Sequence, residues 1–372
     1  MLLQDEIDEK AKEIYTDGYP MSIGELISLY KDNELDIHPE FQRFFRWTPL
    51  QKTKLIESIL LGIPIPPIFV SQREDGVWDV VDGLQRLSTI FEFVGILKDE
   101  NNNIFPPSRL IKTKYLPSLE GKMWESSDAE NSLTSSQRLE FKREKIGVQI
   151  VKKESDPNIK YELFQRLNTL GTKLSDQELR NCLLIMINKD FYYWLYDLGA
   201  YEPFLNCIGL SEKSISEQYN LELALRFIIF KNVDIRDMKG FIFLAEFITE
   251  KMTEFAESST FDKEKEKQIF KDTFDFLDKT LSDDAFKRYN FERNRFEGKF
   301  LLSSFEAIGI GVGSNIDEWN KRTIDENLKE EVKNRAKSLW SDRNYLDYIG
   351  SGSNFNTRIP VIVPLGKKIF KP

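Results

Sequence analysis

One histidine in 372 residues, His38, removes several chemistries at once. A two-histidine zinc site or a histidine-metal nuclease finger cannot be assembled, and a Ser-His-Asp triad would depend on this single side chain. Cysteine is nearly as scarce. Cys182 and Cys207 are too few for a disulfide framework or a four-thiolate zinc site, which leaves a buried thiol pair as the simplest reading. Positive charge is in deficit: 52 Lys and Arg against 61 Asp and Glu give a net charge of -9. No global field recruits nucleic acid, so any DNA contact needs a local basic patch. No apolar run approaches the ~20 residues of a membrane helix, because Ile59 to Val70 is interrupted by Gly62, Pro64, Pro66 and Pro67. The acidic start Met1-Leu2-Leu3-Gln4-Asp5-Glu6 is unlike a secretory signal, so a cytoplasmic protein with no membrane partner is expected. Standard phosphate loops are missing too. There is no G-x-x-x-x-G-K-[ST], and Gly309-Ile310-Gly311-Val312-Gly313 lacks the third glycine at dinucleotide spacing.

What is present describes a globular chain. Hydrophobic residues make up 41% and charged residues 30%, with 28 Phe, and the length suggests two domains. Ser22 and Glu25 form a capping box ahead of Leu26, Ile27, Leu29 and Tyr30. Thr48, Pro49 and Gln51 open a second helix that Gly62 ends, with Leu55, Ile56, Ile59 and Leu60 on one face. Ile68 to Val70 and Val77 to Val81 read as strands around the Glu74-Asp75-Gly76 turn, and Asp82-Gly83 leads into a helix from Leu84 to Leu97. Residues 98–137 turn polar and read as a surface insertion that carries function. Ile146 to Val151 returns as a strand, Tyr161 to Leu170 reads as a helix, and Ser175 to Glu178 caps another. An α+β domain over 1–190 is expected. A helical domain follows over 191–372, from amphipathic segments near 216–232, 240–258, 262–281, 296–310 and 317–340. Its tail holds a flexible Gly/Ser loop, Gly350 to Asn354, and a closing strand over Ile359 to Val363.

Two segments gather polar groups at the ends of apolar elements: Pro39 to Trp47, and Val80-Val81-Asp82-Gly83-Leu84-Gln85-Arg86-Leu87. In the second, a glycine separates a strand from a helix. Backbone N–H groups, the positive helix end and Arg86 then outline an anion site. Taken alone, Asp82-Gly83 also reads as a plain strand-to-helix turn with Arg86 on the surface, and Arg43 and Arg46 as a surface pair stacked over Phe44 or Trp47. Lys142-Arg143-Glu144-Lys145 and Lys152-Lys153 read as solvated faces, with DNA contact the lesser alternative.

These residues resemble a family. Phe41-Gln42-Arg43, Trp47, Leu55 to Ile59, Gly62-Ile63-Pro64-Ile65-Pro66, Asp82 to Ile90 and Phe164 to Thr172 follow the pattern of the N-terminal domain of GmrSD-type restriction enzymes and related phage-defence proteins. The resemblance implies a ParB/sulfiredoxin-like fold and the binding and hydrolysis of a nucleoside triphosphate with Mg²⁺. It implies that Gly83, Gln85 and Arg86, with Gln42, Arg43 and Arg46, contact the phosphates. Leu84 stands where sulfiredoxins carry a reactive cysteine, so thiol chemistry is not expected. Asp82, Glu162 and Asn168 are the implied catalytic residues, with Glu162 and Asn168 as metal oxygens because Leu163 replaces the metal-binding Asn of ParB proteins. Asp82 either holds the metal through a water or orients Arg86. Asn168 either serves the metal or caps its own helix. Arg180 and Asn181 are expected to face the same cleft.

Relatives of this family often carry a C-terminal histidine-metal nuclease domain. No histidine follows His38, so DNA cleavage is expected to be delegated to a partner nuclease or lost. The leading expectation is thus a Mg²⁺-dependent NTPase that switches a defence activity, with DNA met through a local basic patch, and homo-oligomerisation left open. The alternatives are a nuclease working through Asp79, Asp82 and Glu162, and a non-enzymatic DNA or protein adaptor on the same scaffold.

Overall fold

A computed structural model describes residues 3–5, 15–37, 47–99, 101–154, 175–234, 243–349 and 355–372. The chain divides into two units, 1–173 and 174–372. The division precedes the expected position near 190 because the helix Asp176–Ile187 packs with the helices that follow it.

The first unit is α+β. Its elements run β1 (Thr16–Ser22), α1 (Ile23–Lys31), β2 (Leu35–Asp36), α2 (Pro49–Leu60), β3 (Ile68–Gln72), β4 (Trp78–Asp82), α3 (Leu84–Val94), α4 (Ser135–Arg143) and β5 (Lys145–Val151). The sheet order is β1-β5-β3-β4-β2. The β1/β5 and β3/β4 pairs are antiparallel, whereas β3/β5 and β2/β4 are parallel.

Local chemistry sets these boundaries. Ser22 Oγ accepts the Glu25 N–H, and Thr48 with Gln51 closes a full capping box before Pro49. Such caps stabilise a helix start by about 1 kcal/mol each. The helix α3 ends at Gly95, in the left-handed conformation, before the expected Leu97. Along α2, Leu55, Ile56 and Ile59 turn inward against the core that includes Ile68, Val70, Val80, Leu87, Ile90 and Phe91.

The polar stretch 98–137 is not a plain surface insertion. Leu110, Leu119, Trp124 and Leu133 are buried in the same core, and Trp124 packs edge-on to Phe93 and Phe141. Apolar residues spaced irregularly through polar sequence give no period to read, yet they anchor the stretch at four points.

The second unit is mostly helical: α5 (Asp176–Ile187), α6 (Lys189–Gly199), α7 (Glu202–Ile208), α8 (Tyr219–Asn232), α9 (Leu244–Glu257), α10 (Lys263–Thr280), α11 (Glu326–Leu339) and α12 (Phe355–Ile369). A small hairpin, β6 (Arg288–Asn290) and β7 (Arg295–Glu297), pairs Tyr289 with Phe296. It takes the start of the expected 296–310 helix, which begins instead at Leu302 and passes through a π-turn at Phe305–Gly309.

The expected closing strand over Ile359 to Val363 is helical and forms part of α12. Ile359, Ile362 and Val363 fall on one face and are fully buried, although Pro360 and Pro364 lie inside the helix. A proline in a helix interior costs ~3 kcal/mol. Close packing offsets it here: a Cβ on Gly366 would overlap the Ala307 carbonyl, and one on Gly311 would lie 2.6 Å from the Gly366 oxygen. No helix among the described residues is long and apolar enough to cross a membrane. The expected helix over 161–170 and the Gly350 to Asn354 loop lie outside the described residues.

Candidate functional site

Gly83 makes the corner between β4 and α3. Its φ of 103° lies in the left-handed region, and a Cβ there would sit 2.5 Å from Ile68 Cγ2. Only glycine meets both demands at low cost. No side chain caps the helix that starts after it. The β3/β4 register shifts between Phe69 and Val70, with Phe69 opposite Asp82, so a bulge bends the ladder beside this corner.

Arg86, one turn into α3, folds back over the corner. Its Nη2 donates to Asp82 Oδ2, and its Nη1 donates to the Pro66 carbonyl at 2.5 Å and the Pro67 carbonyl at 3.0 Å. The guanidinium thus ties three elements: the end of β4, the start of α3 and the proline loop before β3. Of the two roles open to Asp82, the ion pair that orients Arg86 is the one observed. Gln85 lies in the same first turn. Among the described residues, Ser88 Oγ is buried without a hydrogen-bond partner one turn beyond the corner. Its place inside the Asp82 to Ile90 motif was the only sequence signal for it.

Asp79 lies three residues before Asp82, so the strand pleat sends it to the other face. There it pairs with Arg73, which also reaches Asp36 on the neighbouring β2 at 2.6 Å. Burial works against the Arg73 charge, but the hydrogen bonds to Asp79 and Asp36 outweigh it and raise its pKa. Asp79 and Asp82 therefore serve two separate arginines. Among the described residues, no group of three His, Cys, Asp or Glu side chains is gathered to hold a metal ion. Gln42, Arg43, Arg46, Glu162 and Asn168, together with His38, lie outside the described residues.

Arg180 and Asn181 are interior residues of the second unit. Arg180 is 1% exposed, its Nε donates to Gln177 Oε1 at 2.9 Å, and its Nη2 donates to Glu222 Oε2 at 3.1 Å. Asn181 accepts from Gln177 Nε2 at 2.9 Å. The chain of charges continues. Glu222 accepts from Arg226 Nε at 2.9 Å, and Arg226 Nη1 lies 3.5 Å from Glu306 Oε1. Arg358 closes on Glu306 with bonds of 2.9 and 3.1 Å. Burial raises the Glu222 pKa, but Arg226 and Arg180 more than reverse this and hold it below its ordinary value. Nothing in the local sequence announces this network, because its members come from four distant segments.

A mixed sheet whose strand hands over to an uncapped helix at a left-handed glycine defines the first unit as an α+β domain with a bare helix N-terminus. Residues 23–185 match the sequence model of the GmrSD restriction endonuclease N-terminal domain, and this part of the chain is similar to that family. The match runs from α1 into α5, and so past the division between the units. No curated protein and no solved structure gives a match to the chain.

Proposed function

We propose that the chain is a component of a restriction or anti-phage system that binds a nucleoside triphosphate at the Gly83 corner. Binding or Mg²⁺-dependent hydrolysis switches the system, and a partner nuclease cuts the DNA. The family match supports the restriction-system role. The observation that carries the nucleotide reading is the uncapped start of α3 at Gly83, where the positive end of a helix and close backbone approach suit a phosphate oxygen.

Arg86 suits the same anion once Asp82 yields it. Phosphate and Asp82 compete for one guanidinium, so the ion pair is the resting partner and the phosphate its replacement. Gly83 and Gln85 flank the phosphate in this reading, and Gln42, Arg43 and Arg46 are its further phosphate contacts. When bound, Mg²⁺ would neutralise phosphate charge, with Glu162 and Asn168 as its oxygen donors.

The test is triphosphate binding and phosphate release with ATP, GTP, CTP and UTP, using Arg86→Ala beside the parent chain. Loss of both in a folded Arg86→Ala protein supports the site. Unchanged binding refutes it. The carboxylate-nuclease alternative is weakened by the pairing of Asp79 with Arg73 and of Asp82 with Arg86.

A further inference from the structure

We propose that the loop from Arg109 to Tyr115 is a docking surface for a single-stranded nucleic acid. Between Glu100 and Glu120 the sequence holds no acidic residue, while Arg109, Lys112 and Lys114 are basic. This stands out in a chain where acidic residues outnumber basic ones. All three basic residues are exposed, and none of their side chains forms an ion pair among the described residues. The Lys152-Lys153 pair suggested by the sequence differs. Lys152 lies 3.4 Å from Asp17 and Lys153 lies 3.9 Å from Glu74, so their charge is locally neutralised.

Beside these cations, Tyr115 is 67% exposed, with Lys114 Nζ 5.6 Å from its ring centroid. The exposed Glu120 carboxylate accepts the Lys112 N–H, so one carboxylate stands against the three cations. An exposed ring in a loop with this excess of cations suits an unpaired base stacked on the tyrosine, with its phosphates held by the flanking cations. Duplex DNA keeps its base faces stacked and leaves the ring without a partner.

The loop is held in place rather than left to find a shape. Leu110 is buried, and its backbone pairs with Gly121 at 3.0 Å and Lys122 at 2.8 Å. Ile111 N–H donates to Thr53 Oγ1 at 3.2 Å. The buried Glu57 carboxylate accepts from Thr113 Oγ1 at 2.5 Å and from the Leu116 N–H at 2.9 Å. Leu110 and Thr113 thus point inward, while Arg109, Lys112, Lys114 and Tyr115 stay out. Order before binding lowers the entropy lost on binding.

The choice of a nucleic acid agrees with the restriction-system reading but does not depend on a nucleotide at Gly83. The experiment measures binding of the full chain to fluorescent 20-nucleotide DNA and RNA single strands and to a DNA duplex, over a range of salt and without nucleotide. Single strands are expected to bind more tightly than duplex. Arg109→Glu/Lys112→Glu/Lys114→Glu should weaken single-strand binding by roughly tenfold or more and reduce the slope of log affinity against log salt by about 2. Tyr115→Ala should weaken single-strand binding by roughly fivefold or more and leave duplex binding unchanged. Arg86→Ala should change neither, which separates this surface from the nucleotide site. A folded triple variant that binds like the parent overturns the proposal. So does a Tyr115→Ala protein that binds single strands unchanged.

Discussion

Asp82 and Arg86 form an ion pair across Gly83, so the one described cation at the bare helix end is already neutralised. An incoming phosphate must displace the carboxylate. Asp82→Asn removes the competing charge and should tighten triphosphate binding measured without Mg²⁺ by roughly three- to tenfold, in keeping with one charge-assisted hydrogen bond. Calorimetric titration of the variant and parent checks this. Weaker binding in Asp82→Asn would instead make Asp82 a contact for the nucleotide.

Gly83→Ala tests the corner itself. The left-handed backbone and the overlap with Ile68 Cγ2 act together. Destabilisation of roughly 2 kcal/mol or more is expected, read as a lower midpoint in chemical denaturation. An unchanged midpoint would mean that β3 moves aside freely.

Glu57 is buried on α2, yet its carboxylate serves the loop and not the core. Glu57→Leu removes the nearer acceptor of the Leu116 N–H and of the Thr113 hydroxyl and leaves them their mutual contacts at 3.3 and 3.1 Å, at a cost of about 1–2 kcal/mol. Amide hydrogen exchange at Leu116 should accelerate strongly, while exchange within β3 and β4 rises by no more than the loss of global stability accounts for. Protection retained at Leu116 would show that Thr113 Oγ1 holds this amide without the carboxylate.

In the helical unit, Glu306 is fully buried between Arg226 and Arg358. Glu306→Gln leaves guanidinium charge uncompensated and should destabilise by about 3–5 kcal/mol. Thermal denaturation of the variant provides the measurement, and a loss below 1 kcal/mol on the same scale would show that water replaces the carboxylate.

Acid should unfasten the same network. The folded-state pKa of Glu222 lies below its ordinary 4.5, so folding favours its ionised form. That contribution is complete above about 4.5 and is lost as pH falls through the lower folded value. Denaturant midpoints between pH 6 and pH 3 should fall, and Glu222→Gln should remove part of the fall. An identical pH dependence in the variant would assign the acid sensitivity to other carboxylates.

Much of the first unit was legible because its signals are local. Thr48, Pro49 and Gln51 specify a helix start by themselves, and the alternation around Glu74-Asp75-Gly76 specifies a hairpin. Gly83 was readable as a corner for the same reason. The strand β2 was not, since Leu35–Asp36 is two residues long and exists only through its pairing with Trp78 and Asp79. The Ile359 to Val363 segment misled because β-branched residues and prolines favour extended chain locally, whereas close approach to Ala307 and Gly311 decides for helix. Arg86 was readable as a charge near a helix end. Its three acceptors depend on how Asp82, Pro66 and Pro67 meet in space.

The packing of α12 also sets an order of events during synthesis. Ile359, Ile362, Val363 and Phe370 fill the interior of the helical unit, and Trp319 Nε1 donates to the Phe370 carbonyl at 2.8 Å. A nascent chain paused before residue 355 would carry every described strand of the five-stranded sheet but a helical unit without α12. The first unit can therefore fold on the ribosome while the second waits, with its apolar interior open to chaperones, for α12.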